Sequence, residues 1–377
     1  MKVVFTYPLD LGSYPHIYEY CTILRSYGVD SRYIGIDRKI YINDDSEEKV
    51  PVTYVNGSSG ELSRIVQIAD LIDRLQPDIV HNFFYRGCGL LPFITKRGRT
   101  RWIVDVRTVR AGDGSDWPLM LDLKNGWMWL EAQMYDHILV LTDTLEKKFR
   151  YSLRNVTQIP LGANRNRLNP PDRDVLRNKM REEYNIPESA PVFIYAGAVN
   201  PLRKVEHLID AFAVVQKQYR DIYFFIVGGS DNPVFLEKIK KRVEQLRLLN
   251  SVFITGKLPY YQIHRYYAAS DIGVSYVPVQ SPLRVQPPTK LVEYMMAGLI
   301  SVTNKTETSV SYIEDGVNGF LCSDGVNGFV SGMQRALLAL NNNGAMIQNA
   351  AESVAHLEWH DIVANRLLPL YHKVLES

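Results

Sequence analysis

The chain has little cysteine. Cys21, Cys88 and Cys322 stand far apart and none belongs to a CxxC pair. That excludes a disulfide framework and the usual zinc spacings, and leads us to expect a reducing, cytoplasmic setting. No apolar run approaches the roughly 20 residues that a membrane-spanning helix needs. The opening MKVVFTYPLDL has a short apolar run with no small-residue cleavage site after it, so it reads as a first strand rather than a secretory leader. GxGxxG follows no strand-like first run, which argues against a dinucleotide dehydrogenase. The formal charge of +2 is too small for a protein whose main partner is nucleic acid.

What is present is an ordinary soluble composition, 46% hydrophobic and 22% charged, over 377 residues, enough for two domains. Strand-length apolar runs alternate with helical patterns throughout. In the first half the expected strands are 2–7, 31–35, 78–81, 102–106, 137–141 and 156–159, with helices such as 61–75 and 119–135 between them. A turn-rich segment, PLGANRNRLNPP at 160–171, reads as a linker. The alternation restarts with expected strands at 192–196, 223–227, 252–254, 272–276 and 300–303 and helices at 205–219, 234–249 and 260–269. The pattern predicts an α/β protein of two Rossmann-like domains facing a central cleft, with residues 1–165 in the first and 166–355 in the second. Residues 359–375 read as one amphipathic helix, within a 356–377 segment that returns to the first domain. The hexapeptide DGVNGF occurs at 315–320 and 324–329, and reads as two similar turns around a short strand.

The most informative stretch is QPPTKLVEYMMAG at 286–298, followed by EDGVNGFL at 314–321. Pro287-Pro288 breaks the chain, Thr289 is an expected N-cap, and Gly298 closes a short helix. A helix start with free N–H groups attracts phosphate, and Lys290 adds a full positive charge there. Glu293 follows one turn later, where a carboxylate accepts hydrogen bonds from sugar hydroxyls. The same residues also suit a plain buried helix.

In order, YAGAVNPLRKVEHLIDAF, FFIVGG, VFITGKL, YYAASDIGVSYVP, PPTKLVEYMMAG and EDGVNGFL resemble the retaining glycosyltransferases of family 4, which have the GT-B architecture. PDIVH, IVDVR and IPLGAN extend the likeness into the first half. The resemblance implies transfer of a sugar from a UDP- or GDP-sugar to a glycan or lipid-linked acceptor with retention of configuration. It implies that the basic pair Arg203 and Lys204 neutralises the leaving diphosphate, replacing a metal, so no metal or further cofactor is expected. It implies that Gly256, Lys257 and Leu258 lie against the base, that Gly12, Gly197, Pro288, Thr289 and Lys290 meet the donor, and that Glu293 binds the ribose. The family's first signature glutamate falls at Val285, and its usual arginine before the basic pair falls at Ala198 or Val199. Where the family often has a histidine near the bond being broken, this chain has Arg107.

Asp105 and Arg107 alternate on one strand and so point the same way. They form either a buried ion pair or part of the catalytic machinery. His81 ends the PDIVH strand and reads as a packed, hydrogen-bonded residue. In the mechanism the resemblance implies, the acceptor attacks on the face of the leaving phosphate and a phosphate oxygen takes the proton, so no protein base is obligatory. The alternatives are a nucleotide-sugar epimerase or hydrolase on the same fold, with Asp105 as its acid–base carboxylate, or a catalytically weak nucleotide-binding homologue. Lys96-Arg-Gly-Arg-Thr-Arg101 lies close in sequence to Trp102, Trp117, Met120, Trp127, Met128 and Trp129. The pairing suits peripheral attachment to the inner, anionic face of a membrane, or else a solvated loop beside a tryptophan-rich core or a sugar-stacking wall.

Overall fold

The computed structural model describes residues 1–37, 50–96, 98–108, 118–281 and 289–376. The chain forms two compact units, Met1–Gly162 with Trp359–Ser377, and Ala163–Glu358.

The first unit is built on seven parallel strands: β1 (Lys2–Thr6), β2 (Asp30–Asp37), β3 (Val52–Asn56), β4 (Ile79–Phe83), β5 (Arg101–Val106), β6 (His137–Val140) and β7 (Asn155–Gln158), in the order β3-β2-β1-β4-β5-β6-β7. Central strands such as Ile79–Phe83 are buried along their whole length, which is why they read as continuous apolar runs. One face packs Val4, Val80, Val104 and Ile138 with residues of the helices Glu61–Leu75, Leu91–Ile94 and Pro118–Ala132. The other face carries Phe5, His81, Phe83 and Asp105. Tyr20 of the helix Pro15–Ser26 and the segment after Glu358 cover it, with the Tyr20 and Trp359 rings edge-on at 5.3 Å.

Three expectations are corrected in this unit. The strand β3 is additional: it lies at the sheet edge and buries only Val55, too little apolar pattern to register. The closing amphipathic stretch is helical throughout, but it widens into a π turn over Val363–Leu367 between Trp359–Ile362 and Leu368–Glu376 rather than running as one regular α-helix. Pro369 accounts for it, since proline has no N–H to give the carbonyl four residues back and its ring crowds that carbonyl. Trp102 and Met128 are core residues, whereas Trp127 is exposed.

The second unit has six parallel strands: β8 (Val192–Ala196), β9 (Tyr223–Val227), β10 (Val252–Gly256), β11 (Ile272–Ser275), β12 (Ile300–Asn304) and β13 (Phe320–Cys322), in the order β10-β9-β8-β11-β12-β13. Phe193, Phe224 and Ile226 pack with residues of the helices Val205–Gln218, Pro233–Gln245 and Val326–Ala339. Ile194, Ala196 and Phe225 lie in a second cluster with residues of the helices Ile263–Ala269 and Thr289–Met296. Only the first DGVNGF is a turn, closed by Gly316 N–H to the Gly319 carbonyl at 2.8 Å. The second begins the helix Val326–Ala339, because Phe329 is buried against Tyr276, ring to ring at 4.8 Å, and Gly328 packs on the backbone of Ser323. Tertiary packing sends one hexapeptide into two structures.

Both sheets reverse strand order beside their first strand, at β1/β4 and at β8/β11. In open parallel sheets the carboxyl ends at such a switch point are where ligands bind.

Candidate functional site

At the β8/β11 switch point, Tyr294 fixes the helix Thr289–Met296. Its hydroxyl accepts from the Ala196 N–H at 3.0 Å and donates to the Val274 carbonyl at 3.3 Å, bridging the two strands. Gly273 makes room: a β-carbon there would lie 2.4 Å from the Tyr294 ring. The helix is described from Thr289 onward. Pro288 and Val285 lie outside the described residues.

One turn before Tyr294, Lys290 reaches across the carboxyl end of β8. Its Nζ sits 4.5 Å from the centre of the Tyr195 ring and donates to the Tyr195 hydroxyl at 3.3 Å. That hydroxyl donates in turn to the Ala198 carbonyl at 2.8 Å. Gly197, at φ +142°, leaves the space Lys290 uses. Arg203 ends the short turn Pro201–Arg203, which Asn200 caps by accepting from the Arg203 N–H at 3.1 Å. Burial and the nearby Arg203 charge hold the Lys290 ammonium well below the usual lysine range, against a smaller pull from Glu293. Burial also raises the Tyr195 hydroxyl to about 12, with Arg203 opposing. Among the described residues no carboxylate forms an ion pair with either cation. Two uncompensated cations at one strand end are costly unless an anion joins them.

Lys204 plays a different structural part from its neighbour. It sits at φ +42° between the turn and the helix Val205–Gln218, a left-handed position normally given to glycine.

Glu293 is buried and accepts from the Tyr267 hydroxyl at 2.7 Å. Gly256 closes β10 in a left-handed conformation. Lys257 pairs with Asp231 across the neighbouring strand ends, and Leu258 packs on the core.

In the first unit, Asp105 and Arg107 do share a face and form an ion pair, Nη2 to Oδ2 at 2.5 Å. Arg107 Nη2 also donates to the Tyr20 hydroxyl at 2.8 Å. His81 bridges Asp105 at 3.3 Å and the Tyr371 hydroxyl at 2.6 Å. Burial works against the Asp105 carboxylate, but Arg107 and His81 outweigh it and hold it at about 2. Burial, followed by the Arg107 charge, lowers His16. Gly12 is buried in the loop after β1, at φ +93°. The described residues thus bring Arg203, Lys290, Gly197 and Glu293 to one end of the second sheet, and Asp105, Arg107 and His81 to one face of the first.

Sequence reasoning passed over Tyr195, Tyr267 and Tyr294, which orient the charged residues. The available signal was a tyrosine directly before Ala196-Gly197 in an otherwise apolar strand, and another directly after Glu293.

The profile of the family described as Glycosyl transferases group 1 matches residues 177–353. Among solved structures, Anabaena Alr3699/HepE in complex with UDP and glucose superposes at a TM-score of 0.77, 15% identical, covering 99% of this chain and 100% of that one. A glycosyltransferase from Rickettsia africae superposes at 0.71, 17% identical, covering 100% of this chain and 99% of that one. A curated relative, the lipopolysaccharide 1,2-N-acetylglucosaminetransferase of Salmonella typhimurium, is 25% identical over 152 residues, which span 38% of each chain. Residues 177–353 thus match the Glycosyl transferases group 1 family model, within a chain of two Rossmann-like units that has the GT-B fold.

Proposed function

We propose that the protein is a cytoplasmic, retaining glycosyltransferase of family 4 that takes a UDP- or GDP-sugar as donor and a glycan or lipid-linked acceptor. The observation that carries this reading is the convergence of Lys290 and Arg203, without a carboxylate partner, on the switch point of a group 1 domain. A diphosphate supplies the missing negative charge, and both cations gain as that charge grows on the leaving group. Arg203 offers paired N–H donors and Lys290 a point charge. Glu293 receives the ribose hydroxyls, and Gly256, Lys257 and Leu258 flank the base. The HepE structures with UDP and with UDP-glucose support a nucleotide-sugar donor. A relative that transfers N-acetylglucosamine makes UDP-N-acetylglucosamine the first donor to try.

In this reading no metal is required, because the two cations and the helix start supply the positive charge. The acceptor hydroxyl attacks on the side of the departing diphosphate and passes its proton to a phosphate oxygen. The epimerase and hydrolase readings need an acid–base carboxylate. Asp105 is poorly suited, since Arg107 and His81 keep it ionised at neutral pH. The test is calorimetric titration with UDP and GDP, then product analysis with UDP-sugars with and without a glycan acceptor. Binding of either nucleotide that Arg203→Ala abolishes, with sugar transfer only when acceptor is present, is the expected result. Absence of nucleotide binding, or sugar release without acceptor at the full rate, overturns it.

A further inference from the structure

The outer side of the helix Pro118–Ala132 is unusually apolar for a soluble surface. Met120, Leu123, Trp127 and Leu130 are 51, 66, 58 and 49% exposed. Their spacing of three, four and three residues puts them on one stripe. The opposite side of the helix buries Met128 and Ala132 in the core. Beside this stripe stands the short helix Leu91–Ile94, which exposes Phe93 at 61% and Ile94 at 45%. Glu131 holds the two segments together. Its carboxylate accepts from the Gly87 and Gly89 N–H groups at 2.9 and 3.1 Å, and Trp127 Nε1 donates to it. Gly89 lets the segments touch: a β-carbon there would meet Glu131 at 3.0 Å. The six apolar side chains thus come from two adjoining segments fastened to each other.

Three cations without ion-pair partners among the described residues border the patch, alongside the carboxylates of Asp73, which accepts from the Lys96 N–H at 2.8 Å, and of exposed Asp122. Arg86 precedes the short helix, and Lys96 and Arg99 follow it; all three are exposed and none is in an ion pair among the described residues. The cationic run expected from sequence and an apolar patch are therefore neighbours; the patch keeps Met120 and Trp127 of the residues singled out in sequence and adds Leu123, Leu130, Phe93 and Ile94. Trp102 lies in the core, and the exposed aliphatic and aromatic side chains of the two helices take its place.

We propose that this face of the first unit docks on a lipid bilayer containing anionic lipids. The stripe enters the boundary between headgroups and acyl chains, with Trp127 at headgroup level. Arg86, Lys96 and Arg99 pair with lipid phosphates. A second copy of the chain is a poorer occupant, because a two-fold interface is built from the same patch twice and would bring these three cations towards their own copies. The inference does not depend on the transfer chemistry.

The test is sedimentation of the full chain with phosphatidylcholine vesicles and with vesicles that also contain phosphatidylglycerol, at low and moderate salt. The wild-type protein is expected to sediment with the anionic vesicles at low salt, with a blue shift in tryptophan emission. The paired variant Leu123→Glu/Leu130→Glu should need about tenfold more lipid for half-binding, and Lys96→Glu/Arg99→Glu should lose the salt-sensitive part. The second pair lies outside the helix, so it decides the matter even if the first unfolds the protein. Three results overturn the proposal. The wild-type protein stays in the supernatant with anionic vesicles at low salt. Both folded variants sediment like the wild type. Or the wild type self-associates without lipid, the leucine variant abolishes that association, and vesicles capture neither.

Discussion

Lys290 lies over the α-carbon of Gly197: a β-carbon built on Gly197 would stand 2.3 Å from Lys290 Cε and 2.8 Å from its Nζ. The backbone of one strand end and the cation of a helix start therefore occupy one another's only space. Gly197→Ala should push the ammonium off the Tyr195 ring and strain a backbone at φ +142°. We expect nucleotide affinity to fall by about tenfold to a hundredfold, since a charge-assisted contact is lost. Calorimetry with UDP checks it; unchanged affinity would show that the Lys290 position is immaterial.

Arg203 and Lys204 are expected to separate on mutation. Arg203→Ala should lower turnover by roughly 10², because it removes a preorganised charge from the leaving group. Lys204→Gly relieves a left-handed lysine and should stabilise the fold by about 1 kcal/mol, raising Tm by about 2–4 °C. Its turnover should stay within about tenfold of the wild type, since one charge of several is lost without disturbing Arg203. A drop in Lys204→Gly as deep as in Arg203→Ala would put both side chains on the phosphates.

Lys290 makes a pH prediction. Its folded-state ammonium is held below the usual lysine value of 10.5, so between the two values the unfolded chain binds more protons. Stability must then rise with pH through that window, by at most about 1.4 kcal/mol per pH unit from this one group. Melting curves taken upward from neutral pH should show a rise that Lys290→Met removes. Saturating UDP should flatten it too, because the diphosphate keeps the lysine charged. Identical pH profiles for wild type and Lys290→Met would refute the uncompensated-cation reading.

Glu293→Gln keeps an oxygen that accepts from Tyr267, so the melting temperature should hardly move. Loss of the charge should weaken nucleoside diphosphate binding by roughly tenfold if the ribose is its partner. A large fall in Tm with unchanged affinity would make Glu293 a packing residue.

Asp105→Asn leaves the largely covered Arg107, 13% exposed, with its carboxylate partner gone. We expect destabilisation of about 3–5 kcal/mol, read by denaturant unfolding. A change under about 1 kcal/mol would mean that solvent already screens the pair.

Much of the fold was legible because strands buried on both faces write continuous apolar runs. VFIYA at Val192–Ala196 and YFFIV at Tyr223–Val227 are such runs, and the expected bounds coincide with the observed strands. The edge strand β3 was not legible, since one buried valine makes no pattern. The site was legible in part. Lys290 and Glu293 stood out from helix-start chemistry, but the contact between Lys290 and Tyr195 joins residues 95 apart in sequence, which no local window sees. Nor does the pair Arg203-Lys204 announce from sequence that its second member carries the left-handed turn. Position in a turn, not residue type, separates the two.

The first unit is not made from one stretch of chain. His81 hydrogen-bonds Tyr371, and Tyr20 packs on Trp359, so its core is closed by side chains translated after the whole of the second unit. During synthesis the residues up to Gly162 leave the ribosome with Phe5, Tyr20 and His81 still lacking that cover, while Ala163–Glu358 is already complete in sequence. Domains ordinarily fold in the order they are made. Here the second should finish first, and the nascent first unit is the stretch that has most need of a chaperone.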